Sequence, residues 1–397
     1  MTVITDEMKI DELLSRGTED IFVKEHLRAM LLSGKPLRVK FGIDPTSPAI
    51  HLGRTIPLRK LKAFQDLGHT VVLIIGDFTA KIADPSDKLE KRPMLTDEAI
   101  KENLKEYLSQ IGKIIDLSRA EVHYNSEWLA GMSLLEIGAL LDCFTVQQMS
   151  KRRNFSDRIE QGQDIFVVEF MYPALQGYDS LKVEADVEIG GFDQLFNLKA
   201  GRIVQKRYSM PEQDVMTTSM LEGTDGRKMS SSWGNVISLL DTKDEMFGKL
   251  MAVKDELIIK YFTLCTDVPL SRIESLEKEM KEGKNPKDIK LQLAHMITSM
   301  YHGEKAAEAA EENFNKTFAK GGVPDDVSEI AAARDALFAD IMVAEKFVAS
   351  KSEWRRLVEE GAVSNMETEE KMADANRKVS EGTFKIGKRR FVKIRVI

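Results

Sequence analysis

One stretch restricts the fold more than any other: TVVLIIG, residues 70–76. Its first six residues are β-branched or apolar without alternation, the pattern of a strand buried on both faces. Such a strand belongs inside a sheet with helices above and below it. The flanking sequence agrees. LRVKFGID (37–44) alternates like a strand. Residues 51–67 space Leu58, Leu61, Phe64 and Leu67 three apart, as in a helix, and Gly68 stands as its C-terminal stop. Residues 97–115 read as a further helix through Ile100, Leu104, Tyr107, Leu108, Ile111 and Ile115. AEVHYNS, VEADVEIGG and DVMTTSML supply strand candidates, with helical segments up to about residue 180 and a helix from about Asp193. Strands alternating with helices imply a parallel sheet with right-handed crossovers. The expected architecture is α/β, a doubly wound domain covering about 1–225.

Beyond it, EGTDGRKMSSSWGN is polar and glycine-bearing between apolar segments, and predicts a mobile loop over 226–241. Residues 242–320 read as a charged helical domain, 321–334 as a linker, and 335–397 as a small unit of two helices and short strands. A chain of 397 residues suits two or three domains. With 43% hydrophobic and 30% charged residues it reads as soluble and globular. No apolar run approaches the roughly 18 residues of a membrane span. The acidic, amphipathic N-terminus is unlike a secretory signal. Cys143 and Cys265, far apart among core-like residues, are expected to be reduced and buried, as in a cytoplasmic protein. Six scattered histidines suggest no metal cluster. The net charge of −7 is uneven: residues 346–397 carry +5, leaving −12 for the remainder. A basic end on an acidic body suggests a polyanionic partner, although lysines on a solvated edge strand would look the same.

In open α/β sheets, ligands bind outside the carboxyl ends of the strands. GIDPT and the start of the next helix fall there. A helix N-terminus offers free N–H groups to phosphate, and His51 and Arg54 of HLGR add donors one turn apart. Gly53 lets a flat ring approach the backbone. An ordinary helix start with surface His and Arg fits the same residues. DFTAKIADPSDK places Asp77, Asp84 and Lys88 at the same edge, where a simple turn is the alternative. In EIGGFDQLFN, Asp193 and Gln194 open a helix, and Asp193 suits either a ribose hydroxyl or an N-cap. The G-x-G-x-x-G and P-loop fingerprints are absent.

Taken together, HLGR resembles the HIGH motif of class I aminoacyl-tRNA synthetases, and KMSSS (228–232) resembles their KMSKS loop. With GGFDQ between them and YPALQGYD (172–179), the chain resembles bacterial-type tyrosyl-tRNA synthetases over nearly its whole length. Its tail, FVASKSEWRRLVEEGAVS to GTFKIGKRRFVKI, resembles an S4-type RNA-binding domain. The resemblance implies a Rossmann-like catalytic domain, a helical anticodon-side domain and an S4-like α+β domain, in a homodimer. It implies activation of L-tyrosine by ATP, with Mg2+ arriving on the ATP, and transfer to tRNA(Tyr). By position, Thr46 and His51 would contact phosphates, with Lys88 and Arg92 facing the leaving group. Gly42 and Asp44 would line the pocket, Gly53 would lie against adenine, and Asp193 would hold the ribose. Lys228, Ser230, Ser231 and Ser232 would form the loop over the phosphates. Tyr172, Gln176 and Asp84 would hold the tyrosine ammonium, Gln194 would lie near its carboxylate, and Asp179 would accept the phenol hydroxyl. In the tail, Lys351, Arg355, Arg356, Lys388, Arg389 and Arg390 would contact RNA phosphates.

The departures from that pattern are specific. Arg54 replaces the second histidine of HIGH, and Ser231 replaces the middle lysine of KMSKS. Arg54 is expected to compensate for the missing cation. Ala83 and Asp87 replace glycines, and Phe192 replaces a small residue, so all three are expected to crowd the site. Lys40 stands where a tyrosine is common. Strand alternation puts it on the face of Gly42 and Asp44, so it is expected near Asp179 or the phenol oxygen, the alternative being a solvent-facing lysine. Two other functions fit a changed site: a paralogue that activates an amino acid without charging tRNA, and an RNA-binding scaffold without activity.

Overall fold

A computed structural model of the chain describes residues 2–82, 84, 95–319, 327–368, 370–387 and 390–396. Two compact units divide it: Met1–Asp241 with Val253–Leu293, and Thr242–Ala252 with Ala294–Ile397. Of the stretch expected to be helical, residues 253–293 group with the first unit, and 242–252 and 294–320 with the second. Helix propensity marks helices but not which core each one joins, because that depends on contacts distant in sequence.

The first unit is built on six strands: β1 (Thr18–Phe22), β2 (Arg38–Ile43), β3 (Thr70–Ile75), β4 (Ala120–Tyr124), β5 (Val187–Gly191) and β6 (Asp214–Thr218). Their order is β1-β6-β5-β2-β3-β4. All neighbours run parallel except β1, which pairs antiparallel with β6. As the apolar run required, Val71–Ile75 of β3 are fully buried. The chain moves outward from β2 through β3 to β4, then returns to β5 beside β2. That reversal is the switch point at which such sheets open a crevice.

Helix α1 (Leu52–Asp66) follows β2, starting directly after His51, and Gly68 beyond it adopts φ +91°. The single helix expected over 97–115 is broken into Asp97–Leu104 and Tyr107–Ile111. The second piece turns two polar side chains inward. Gln110 donates to the Pro48 carbonyl and accepts from the Ile50 N–H, and Tyr107 meets Arg54. Helices α2 (Val167–Lys182) and α3 (Leu195–Arg207) flank β5 in sequence. Strand β1 had no apolar alternation to announce it; its residues are mostly exposed. Cys265 is buried as expected, but Cys143 is only partly so.

In the second unit, β7 (Ser328–Ala332), β8 (Val363–Asn365), β9 (Gly382–Ile386) and β10 (Arg390–Val396) form a sheet ordered β7-β10-β9-β8. Helices α4 (Phe338–Ala344) and α5 (Lys351–Glu359) cover it, with Trp354 fully buried among Phe338, Met342, Phe384 and Ile394. Strand β7 lies inside the stretch expected to be a linker. It is held by main-chain pairing to β10 and buries little side chain, so periodicity could not reveal it.

Candidate functional site

At the switch point the carboxyl ends of β2 and β5 border a cavity of about 430 Å³. Every described site residue expected in the first unit lines it, except Lys40. Lys88, Arg92, Ala83 and Asp87 lie outside the described residues. Phe192 is 44% exposed and is not among the cavity's lining residues, so the crowding expected of it does not occur. It begins the short turn before α3, where its side chain can face solvent.

One end of the cavity is a buried polar array. Asp179, on α2, accepts from the Trp128 indole N–H at 2.8 Å and from the Asn125 amide at 3.3 Å. Burial pushes its carboxyl up to about 7, against the pull of the Lys40 charge and these two hydrogen bonds. Asp44, just past β2, accepts from Thr79 Oγ1 at 2.7 Å and from the Tyr172 hydroxyl at 2.8 Å. Burial pushes Asp44 up to about 6. Gly76 makes this packing possible: a Cβ there would sit 1.9 Å from Asp44 Oδ1. Asp84 accepts from Gln194 at 2.8 Å and lies 3.8 Å from the Arg152 guanidinium. Gln176 donates its amide to Glu188 at 3.0 Å.

The other end is cationic. Arg54 donates to Thr46 Oγ1 at 2.8 Å and to the Tyr107 hydroxyl at 3.1 Å. His51 is pushed down to about 3 by burial, then by the charges of Arg54 and Lys228, so its imidazole is neutral. Its Nδ1 has no hydrogen-bond partner among the described residues. The Gly53 N–H reaches the Met229 sulfur at 3.3 Å. Lys228 pairs with Asp193 at 2.9 Å, and no side-chain cap bond from Asp193 opens α3. The loop that carries Lys228 is gathered around one side chain. Asn235 accepts from the Ser230 N–H and donates to Asp225 and to the Lys228 carbonyl. Composition marked this segment as polar but could not show that one asparagine gathers it.

Lys40 lies near enough to Asp179 for its charge to pull on that carboxyl, as expected, but it does not line the cavity. It is fully buried, which excludes the solvent-facing alternative, but its ammonium is engaged by Glu188, Ser180 and the Gln176 carbonyl behind the cavity wall. Strand alternation set its face and not the reach of its four-carbon stem. Trp128, Asn125, Thr79 and Tyr107 were missed. Asn125 had one usable signal, its position immediately after β4 at the carboxyl edge of the sheet.

In the second unit, Arg355 is exposed, Lys351 pairs with Asp340, and Arg356 lies 3.8 Å from Glu360. Arg390 is tied to the Phe347 carbonyl and to Glu353, so its charge staples the sheet to α5. Lys388 and Arg389 lie outside the described residues.

The raised Asp179 carboxyl has a stability consequence. With a folded value of about 7 against an ordinary 3.8, it contributes stability that is complete below about pH 4 and is lost as pH rises through 7. The stability of the unliganded protein relative to an Asp179→Asn variant should therefore fall between pH 4 and 7. Thermal unfolding of both proteins across that range checks it, and parallel curves would contradict it.

A family model described as tRNA synthetases class I (W and Y) matches residues 32–319. The tyrosine–tRNA ligase of Thermotoga maritima is 45% identical over 386 residues, covering 96% of each chain. That of Carboxydothermus hydrogenoformans is 43% identical, covering 98% of each. Among solved structures, a tyrosyl-tRNA synthetase from Archaeoglobus fulgidus complexed with L-tyrosine superposes with a TM-score of 0.62 at 22% identity, covering 77% of this chain and 100% of that one. A truncated mitochondrial tyrosyl-tRNA synthetase from Aspergillus nidulans gives a TM-score of 0.65 at 22% identity, covering 78% and 94%. The switch-point cavity, the two loops that line it and full-length similarity at this level agree: the chain belongs to the tyrosine–tRNA ligase family of class I aminoacyl-tRNA synthetases.

Proposed function

We propose that this chain joins L-tyrosine to ATP as tyrosyl-adenylate and passes the tyrosyl group to the 3′ end of tRNA(Tyr). The observation that carries this reading is one cavity with opposite chemistries at its two ends. Asp179, fixed by Trp128 and Asn125, is the acceptor for a phenol hydroxyl. Arg54, Lys228 and a neutral His51 suit a polyphosphate that arrives with its Mg2+. Asp84, the Gln176 side-chain Oε1 and the Tyr172 hydroxyl oxygen suit the ammonium, with Gln194 near the carboxylate. The tyrosine carboxylate attacks the α-phosphorus, pyrophosphate departs, and the tRNA 3′-terminal adenosine then displaces AMP. Positioning and charge stabilisation suffice for such a displacement, so no side-chain nucleophile is needed. Lys228 exchanges Asp193 for phosphate as ATP enters, which frees the carboxylate for the ribose. Tyrosine-dependent ATP–pyrophosphate exchange tests the first step, and charging of purified tRNA tests the second. A chain that binds RNA without exchange would be a scaffold.

The basic tail is the RNA-binding part of this proposal, working in the cytoplasm. Arg355 and Arg356 on α5 are its leading phosphate contacts. Their double alanine variant should weaken tRNA binding and reduce the slope of log affinity against log salt by about 1–2, while exchange stays unchanged. An unaltered slope would remove them from the interface. A homodimer is consistent with large apolar residues left exposed in the first unit, Leu134, Leu135 and Val167, each more than 80% accessible. Leu135→Glu should shift the protein toward monomer in sedimentation equilibrium. An unshifted mass would place the interface elsewhere.

A further inference from the structure

Among the described residues expected in the first unit's site, Lys40 is the one that does not line the cavity, yet it is among the largest fully buried side chains described. A lysine ammonium has three donors. Here they go to Glu188 Oε1 at 2.9 Å, the main-chain carbonyl of Gln176 at 2.9 Å and Ser180 Oγ at 2.8 Å. Glu188 is equally committed. It also accepts from Gln176 Nε2 at 3.0 Å, Ser180 Oγ at 3.1 Å and Gln213 Nε2 at 2.5 Å. The pair therefore grips α2 at Gln176 and at Ser180, and Asp179 lies between those two points. Gln176 is held by both its main chain and its side chain.

A buried ion pair is a weak source of stability, since apolar residues of similar volume commonly replace one at little loss. Its effect here is to fix one turn of one helix against β2 and β5. We propose that Lys40, with Glu188 as its counter-ion, is a positioning residue for tyrosine recognition, setting where Asp179 and Gln176 meet the substrate. This rests on the reading of Asp179 as the acceptor for the phenol hydroxyl. The charges around Asp179 fit the role. Lys40 on β2 favours its carboxylate form and Glu188 on β5 opposes it, while Tyr172 on α2 and Asp44 after β2 share the same array. Trp128 and Asn125, which complete the surroundings, are neutral donors.

Lys40→Met tests this in ATP–pyrophosphate exchange with tyrosine and with phenylalanine. The expected result is a rise in the tyrosine KM of about tenfold or more and a similar fall in the preference for tyrosine over phenylalanine, because recognition of a hydroxyl depends on a placed acceptor. The KM for ATP should stay within about twofold, since the phosphate end lies outside the clamp. Ser180→Ala, which keeps the ion pair and removes one anchor on α2, should raise the tyrosine KM by about two- to fivefold. A folded Lys40→Met protein with unchanged tyrosine KM and unchanged preference overturns the proposal. So does a matching rise in both KM values. If Lys40→Met does not fold, an unchanged tyrosine KM in Ser180→Ala overturns it instead. Failure of the wild type to catalyse tyrosine-dependent exchange would overturn the functional reading itself, and shows before any variant is made.

Discussion

Asp179→Asn should lower kcat/KM for tyrosine by about 10²–10⁴-fold while leaving the KM for ATP nearly unchanged. Two effects add. A carboxylate that accepts a hydroxyl in a buried site contributes about 1.5–3 kcal/mol, and the amide that replaces it is neutral. The amide also meets the wrong neighbours. Asp179 receives the Trp128 N–H on one oxygen and the Asn125 amide on the other. An asparagine has only one oxygen, so its own NH₂ must face one of these donors. A donor left unsatisfied in a buried site costs about 1–3 kcal/mol more. Preference for tyrosine over phenylalanine should collapse with it, the loss expected when a site built to bond a hydroxyl can no longer do so; tyrosyl-tRNA synthetase is the standing example of that selectivity. Exchange kinetics with both amino acids measure this. A fall of less than tenfold would mean that the hydroxyl is read elsewhere.

Arg54→Ala should slow adenylate formation in single turnover by about 10²–10³-fold, the usual loss when one preplaced donor to developing charge is removed. Tyrosine affinity should hardly change, because Arg54 bonds Thr46 and Tyr107 and is not among the groups that bond or shift Asp179. The guanidinium is held by Thr46 and Tyr107, so it is placed before substrate arrives. It is also permanently charged, unlike the histidine usual at this position, and His51 beside it is neutral. If Arg54 stands in for the lysine missing at 231, then Ser231→Lys should restore at least about tenfold of the rate in the Arg54→Ala background and much less in the wild type, the coupling that a double-mutant cycle detects. Arg54→Ala and wild type forming adenylate equally fast would end the idea, and additive effects of the two substitutions would end the compensation.

Much of this was legible because it is local. The apolar run of β3, the helix after His51 and the stop at Gly68 each follow from residues that are neighbours in sequence. HLGR and KMSSS were readable as motifs for the same reason. The break near Lys105 was not, because it serves Tyr107 and Gln110, whose partners Arg54 and Pro48 are more than fifty residues away. Strands β1 and β7 were invisible because main-chain pairing holds them and little of their side chains is buried. Trp128 had no signal at all, since an indole in a short helix looks like core until the carboxylate it serves is in place.

The sequence by itself determined that a parallel sheet with covered faces would form, and which loops would stand at its carboxyl edge. Only the tertiary structure decided what each side chain there is bonded to. Lys40 shows the division. Alternation set the face it leaves β2 from, but whether its ammonium faced the substrate or gripped α2 depended on Glu188 and Ser180, about 140 residues further along. Hydrogen bonding is short-ranged and directional, so partners that far apart in the chain are chosen by the fold that brings them together, and no pattern along the sequence records the choice.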